Sequence, residues 1–288
     1  MDALTGHLAL LVTLPAAAGA AVLALGRLGK RDLLGAGVLA AMTMAFVIDS
    51  GSIFAGTDSW RRIGSLLAAL MALALVTPRT LPPGASFLVV GLLACLWISP
   101  PGLSFAARLS AGVAAAITAW LVSRQRAKRP DAALPVSLGV SLAAMVWLFV
   151  ESGFPAMAVV SGAGALACLI GAVIGKANSE RPAAALGVVA GVLATLVQLG
   201  IAYDQGGVPV MSWIIIAASP LALVALDGPL GRISSKAGRV LTSIAGCATV
   251  AAFAIGLLLF MRPMPSTSSP AGDPLDGIYG PSSAPAAR

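Results

Sequence analysis

The chain has 288 residues, of which 58% are hydrophobic and only 10% are charged. Because soluble domains are about a quarter charged, this composition excludes an ordinary soluble protein and predicts an all-α, polytopic membrane protein. The formal charge of +7 does not indicate nucleic-acid binding, because the basic residues lie in short loops between apolar runs, where they set membrane topology.

The first apolar run is interpreted as a retained helix, since its basic residues follow the run and a secretory signal would carry them before it. About 20 apolar residues are needed to cross the hydrocarbon core, and ten runs qualify as candidate spans. The third and fourth are short and could be tilted or partly re-entrant, and eight spans is the alternative count. The candidates lie near residues 8–26, 33–50, 63–78, 85–99, 103–123, 132–151, 154–175, 183–203, 209–226 and 240–261.

The distribution of basic residues predicts the orientation of these spans. With the N-terminus outside, the predicted inner loops hold thirteen of the eighteen Lys and Arg residues, as expected for cytoplasmic loops. Residues 1–262 are therefore predicted to form a transmembrane helix bundle with both termini outside. The arginine-rich composition suggests a bacterial cytoplasmic membrane. Residues 263–288 are rich in Pro, Gly and Ser and are predicted to form a disordered external tail.

Three predicted spans end in a carboxylate that is followed two positions later by a glycine. The pairs are Asp49 with Gly51, Glu151 with Gly153, and Asp204 with Gly206. The structural interpretation is that polar residues collect at helix ends, where a left-handed glycine closes the helix. The functional interpretation starts from the partial negative charge at a helix C-terminus, which disfavours a carboxylate there. Three acids at such ends then indicate a positive group nearby.

Arg108 is the predicted positive group, because an arginine inside the outer end of the fifth span must pair or reach the interface. We predict an outer polar cluster that binds a ligand and is rimmed by aromatic side chains. Its predicted members are Asp49, Arg108, Glu151, Asp204, Gln198, Trp147, Tyr203 and Trp213.

Small residues at helical spacing predict close helix packing in the second half of the chain. Such GxxxG patterns join helices within one chain or between chains. They predict either internal packing or contact with a partner membrane protein or a second copy. The glycines concerned are Gly171, Gly175, Gly187 and Gly191.

The sequence contains few residues suited to catalysis. The single histidine, His7, cannot supply a paired-histidine haem or metal site, and no P-loop motif is present. We therefore predict no metal, no cofactor and no catalytic residues. The middle of the spans is almost free of charge, which disfavours an ion-coupled pump. Two functions remain: a small-solute transporter with an outer polar vestibule, or a non-catalytic membrane subunit that packs against partner proteins.

Overall fold

The computed structural model describes residues 13–24, 33–52, 59–80, 83–97, 104–128, 132–174, 184–221 and 235–261. Within these ranges the chain is helical and contains no strand, so the all-α prediction is confirmed there. The predicted tail at 263–288 lies outside the described residues. The α-helices are α1 (Thr13–Ala24), α2 (Leu34–Ser50), α3 (Ile63–Thr80), α4 (Pro83–Trp97), α5 (Phe105–Lys128), α6 (Ala133–Glu151), α7 (Pro155–Ile174), α8 (Ala184–Ala202), α9 (Val210–Ala218) and α10 (Lys236–Met261).

Each of these helices overlaps one of the ten predicted apolar runs, but the helices differ in length. Among the described residues, three are long and apolar enough to cross a membrane: Ala133–Glu151, Pro155–Val173 and Ala237–Met261. The apolar stretches of α1, α2, α8 and α9 are shorter than that criterion requires. The structure therefore supports a helical protein that associates with a membrane. The count of ten spans and the outside position of both termini remain predictions.

Large apolar side chains cover the outer surface of the bundle. On α5, Phe105, Leu109, Val113 and Ile117 recur every four residues and are between 48% and 71% exposed. Since residues four apart share one face of a helix, they form a continuous apolar stripe. Soluble proteins do not expose stripes of this size, whereas a lipid environment accommodates them.

The centre of the bundle is built around α7, which packs against α2 on one side and α6 on the other. Gly164 of α7 makes this approach possible. A Cβ at that position would lie 2.9 Å from Cγ of Met42 in α2 and 3.2 Å from Cδ1 of Leu142 in α6. Small residues at such crossings let helix backbones approach closely.

Three of the four glycines highlighted in the sequence face neighbouring helices of the same chain. Gly171 faces Leu34 of α2, Gly187 faces Ala119 of α5, and Gly191 faces Val90 of α4. Gly175 lies outside the described residues. Association of a second chain through the other three glycines would require displacement of these internal neighbours.

Candidate functional site

The carboxylates Glu151 and Asp204 lie on two turns that contact each other. Glu151 is the last residue of α6, and Asp204 follows α8 by two residues. The backbone N–H of Gln205 donates to the carbonyl oxygen of Ser152 over 3.0 Å. Gly206 rests on the backbone of Glu151 so closely that a Cβ would overlap the Glu151 carbonyl oxygen. The end of α8 is thereby held against the end of α6.

The first two acid-bearing helix ends close in the way the sequence predicts. Gly51 and Gly153 have φ angles of 77° and 76°, in the left-handed region. The N–H of Gly51 donates to the carbonyl oxygen of Val47 over 2.8 Å, which satisfies one of the last carbonyls of α2.

The third acid-bearing end closes differently, and the prediction of Gly206 as the left-handed residue is wrong. Gly207 has the positive φ, 71°. Asp204 lies outside the helix and accepts a hydrogen bond from the N–H of Gly206 over 3.0 Å. Aspartate often stabilises turns through a bond to the backbone two residues on. The glycine at 206 is required instead for the close approach to Glu151 described above.

Six aromatic rings connect these turns to the ends of α2 and α3, and they are named here the aromatic cluster. Its members are Phe46, Trp60, Phe149, Phe154, Tyr203 and Trp213. The ring centroid of Trp60 lies 6.3 Å from that of Phe46 and 5.5 Å from that of Phe154. Phe154 in turn lies 5.7 Å from Tyr203. Most of the pairs are edge-to-face, a favourable geometry for aromatic side chains.

The aromatic cluster shows that α2, α6 and α8 terminate at the same end of the bundle. Phe46 is one turn before Asp49, Phe154 follows Glu151 by three residues, and Tyr203 adjoins Asp204. We name this end, with its carboxylates Asp49, Glu151 and Asp204, the acidic end. Asp49 is exposed, whereas Glu151 and Asp204 are partly buried.

The two tryptophans predicted for the rim lie in contrasting positions. Trp213 is completely buried, because Gly200 leaves room for its indole ring and Phe149 packs 5.0 Å away. Its Nε1 has no hydrogen-bond partner among the described residues. Trp147 is 48% exposed, on the same outward face of α6 as Val150. Of the predicted aromatic residues, Tyr203 lies at the partly exposed surface of the aromatic cluster.

Arg108 and Gln198 lie deeper than the carboxylates. Helices α5 and α8 are antiparallel, with Gly191 beside Ala115 and Gly187 beside Ala119. Continuing this register by about two turns places Arg108 level with Gln198. Both side chains are partly buried. At about 1.5 Å per residue, Gln198 is about 9 Å from the level of Asp204.

A second polar group lies in the interior of the bundle, and we name it the hydroxyl cluster. It consists of Ser137 and Ser141 on α6, Ser219 after α9, and Cys247 on α10, all buried. The hydroxyl oxygens of Ser141 and Ser219 are 2.5 Å apart. The thiol of Cys247 donates to the carbonyl oxygen of Ser219 over 3.4 Å. The sequence marks Ser141 and Ser219 as polar residues within spans, but it does not reveal their contact.

Pro220 explains why the α-helix of α9 ends at this cluster. Proline lacks an N–H, so the carbonyl oxygen of Ile216 loses the donor that a continuing helix would supply. Ser219 replaces that donor, because both its N–H and its hydroxyl bond to the Ile216 carbonyl. The α-helix therefore ends at Ala218, and residues Ser219–Leu221 form a 3₁₀ turn.

The hydroxyl cluster offers more acceptors than its protons can satisfy. The hydroxyls of Ser141 and Ser219 contact the carbonyl oxygens of Ser137 and Ile216 and also contact each other. A hydroxyl carries one proton, so two hydroxyls can make only two of these three donations. One of the three contacts therefore has no proton between its oxygens, and the Ile216 carbonyl also accepts the N–H of Ser219.

The described residues give no indication of a metal or a redox centre. They contain no group of three or more His, Cys, Asp and Glu side chains that could hold a metal ion. Cys95, Cys168 and Cys247 are buried and form no disulfide. His7 lies outside the described residues.

The chain matches no protein-family model, no curated protein and no solved structure. The functional argument therefore depends on the fold and on the two polar groups described above.

Proposed function

We propose that this chain is a small-solute transporter or permease of a cell membrane, with ten spans and both termini outside. The acidic end serves as its outer vestibule, where Asp49, Arg108, Glu151 and Asp204 select the solute. The hydroxyl cluster serves as the inner contact point. This proposal is compatible with the apolar, helical architecture of the described residues.

The observation that carries the proposal is the change from α-helix to 3₁₀ turn at the hydroxyl cluster. Ser141 is near the middle of α6 and Cys247 is near the middle of α10, so this change lies halfway along both helices. Non-helical backbone at membrane depth is tolerated where it is buried in protein or lines a cavity, and transporters place substrate sites at broken helices. The oxygens of the hydroxyl cluster suit a solute that donates a hydrogen bond.

The test is flux through the purified protein in liposomes. We expect at least one of urea, glycerol, alanine and choline to enter faster than into protein-free liposomes. Ser219→Ala and Ser141→Ala are expected to slow that flux about fivefold, the equivalent of one hydrogen bond of about 1 kcal/mol.

The matched control for these variants is Ser243→Ala. Ser243 is also buried, but its hydroxyl bonds only to the carbonyl oxygen of Arg239 in its own helix. We expect wild-type flux for this variant. Flux no faster than in protein-free liposomes for the whole solute set, or equal flux in Ser219→Ala and wild type, would contradict the proposal.

The alternative is a non-catalytic subunit that packs against other membrane proteins. The observation that favours it is the exposed apolar surface of α10, whose spanning stretch is only 22% buried within the chain. Leu241, Phe253 and Phe260 are all at least 65% exposed on this helix. Purification from the native membrane in a mild detergent separates the two functions. A stoichiometric partner chain supports the subunit, whereas a monodisperse, partner-free preparation with solute flux supports the transporter.

A further inference from the structure

We infer that the acidic end binds organic cations, with an alkylammonium or guanidinium group seated on the aromatic cluster between the turns that carry Glu151 and Asp204. This inference rests on the proposed transport function, because it names the class of solute that the outer vestibule selects. Its argument comes from the arrangement of the rings, from a guanidinium already stacked on one of them, and from the position of the carboxylates.

The aromatic cluster has a buried layer and an accessible layer. Phe46, Phe149 and Trp213 are completely buried. Trp60, Phe154 and Tyr203 are only partly buried and pack against the core. The buried rings hold the accessible rings in place through edge-to-face contacts, so part of the accessible ring surface is presented to solvent in a fixed geometry.

A cation from the chain itself already uses this surface. The guanidinium carbon of Arg61 lies 5.2 Å from the ring centroid of Trp60. A cation within about 6 Å of a tryptophan ring is attracted by the negative face of the ring. Arg61 is exposed, so the stacked pair lies at the surface, where a solute cation can reach it. The Trp60 ring is thus a cation site that Arg61 occupies and that a solute cation would compete for.

Two carboxylates belong to the turns that carry the accessible rings Phe154 and Tyr203. Glu151 precedes Phe154 by three residues, Asp204 adjoins Tyr203, and both carboxylates are partly buried. The contact between their turns fixes both acids at one end of the bundle. Partial burial strengthens their attraction for a cation, since less water screens the charge. The carboxylates and the face of the Trp60 ring both attract a positive group, which is why we assign the site to cations.

The end of α5 that lies away from the acidic end provides an internal control. Arg124 stacks over Trp120 at 5.6 Å, so this pair repeats the ring and guanidinium of Trp60 and Arg61. Trp120 is 46% exposed and belongs to no group of aromatic rings among the described residues. A stacked tryptophan outside the aromatic cluster should not bind a solute cation measurably.

The experiment uses choline as the probe, the full chain in detergent, and tryptophan fluorescence together with calorimetry as readouts. The control ligand is 3,3-dimethyl-1-butanol, which has the shape of choline without its charge, and sodium chloride is added to equal ionic strength. We expect saturable choline binding and no binding of the alcohol at the same concentration. Trp60→Leu and Glu151→Gln should each weaken choline binding about tenfold, a loss that corresponds to removal of one cation contact.

Two further variants sharpen the test. Arg61→Ala removes the internal competitor and should tighten choline binding several-fold, whereas Trp120→Leu should leave it unchanged. The absence of saturable choline binding, equal binding of the alcohol, or an unchanged affinity in both Glu151→Gln and Arg61→Ala would overturn the inference. If Trp60→Leu does not fold, Glu151→Gln and Arg61→Ala decide the result.

The outcomes also separate this inference from the transport proposal. Choline binding without flux in liposomes would support the cation site and contradict transport. Flux of a neutral solute without choline binding would support transport and overturn the cation site.

Discussion

Most buried hydroxyls in this protein are satisfied within their own helix. Thr43, Ser137 and Thr195 each donate to the carbonyl oxygen four residues earlier. Such side chains need no partner from another helix, so their burial costs little free energy. The informative hydroxyls are therefore those that depart from this pattern. Ser212 bonds across helices, and Ser161 has no partner among the described residues.

Two serine variants should differ in their effect on stability, because only one of the two hydroxyls has a partner. Ser212→Ala removes the 2.9 Å bond to the carbonyl oxygen of Ala254, and we expect a loss of about 0.6–1.7 kcal/mol. Ser161→Ala removes a buried hydroxyl without a partner, so the free energy of unfolding should be unchanged or rise by up to about 1 kcal/mol. Thermal unfolding, followed with a dye that reacts with the buried cysteines as they become exposed, measures both. Equal destabilisation by the two variants would contradict this prediction.

The glycines of the acid-bearing turns provide a second prediction at this scale. Gly206→Ala places a methyl group into the Glu151 carbonyl, and we expect a loss of about 2 kcal/mol or more as the two turns separate. Gly51→Ala meets no atom within 4 Å and carries only the cost of a left-handed φ, about 1 kcal/mol. Choline or solute binding should fall in Gly206→Ala and persist in Gly51→Ala. Comparable binding by the two variants would show that contact between the turns is not needed.

At the scale of the helices, pairs of glycines set how closely α4, α5 and α8 approach. Gly91 and Gly112 face each other, and a Cβ on either would lie within 2.7 Å of the backbone oxygen of the other. Gly187 lies directly on the backbone of Ala119. These contacts replace side-chain interdigitation with backbone contact, which is the usual way in which membrane helices pack tightly.

Gly187→Ala should therefore destabilise the bundle, and Gly256→Ala should not. The added methyl at 187 overlaps α5, at an expected cost of about 1–3 kcal/mol. Gly256 in α10 has nothing within 4 Å of its virtual Cβ, so alanine there should stabilise by about 0.5–1 kcal/mol through helix propensity. The same thermal unfolding assay compares them. A destabilised Gly256→Ala would indicate that this face of α10 packs against another molecule.

The positions of the helices could be predicted from the sequence, but the end of the α-helix at Ala218 could not. Every helix follows an apolar run, because length and apolarity alone distinguish these segments from the loops. The run at 209–226 predicts a span, of which residues 222–226 lie outside the described part of the chain, and Pro220 within it indicates only a kink. The helix ends at Ala218 because the Ser219 side chain satisfies the Ile216 carbonyl in place of a missing N–H. This change of hydrogen-bond donor depends on three-dimensional contacts, which hydropathy does not describe.

The candidate site was predictable only in outline. The repeated acids indicate which helix ends belong to the site. They do not indicate that Gly206 brings its turn into contact with the backbone at Glu151. The sequence does not predict that Phe154 and Trp60 belong to a site, since their partners come from distant segments. Their roles depend on long-range packing.

At the scale of the whole molecule, the direction of the helices predicts which surfaces face which side of the membrane. Ser212 of α9 contacts Ala254 and Ser219 contacts Cys247, so α9 and α10 are antiparallel. This register brings the end of α10 level with the turn at Gln205. We therefore expect the end of α10 to emerge on the same side as the acidic end.

Cysteine labelling in intact cells tests this arrangement. Ser52 follows α2 at the acidic end, and Ser235 precedes α10 at the opposite end; both are exposed. Ser52→Cys should react with a membrane-impermeant maleimide added outside, whereas Ser235→Cys should react only after permeabilisation. The native cysteines Cys95, Cys168 and Cys247 are buried and serve as a low background. The reverse pattern would invert the proposed orientation.

The hydrogen bonds that α9 makes to other helices also have a consequence for biosynthesis. A segment whose polar side chains lack partners is costly to place in the bilayer when it emerges from the ribosome alone. Because the hydroxyls of Ser212 and Ser219 bond to α10 and α6, we expect α9 to settle in the bilayer together with α10, after α6 is in place. Chains truncated before α10 should consequently leave α9 accessible to water-soluble reagents.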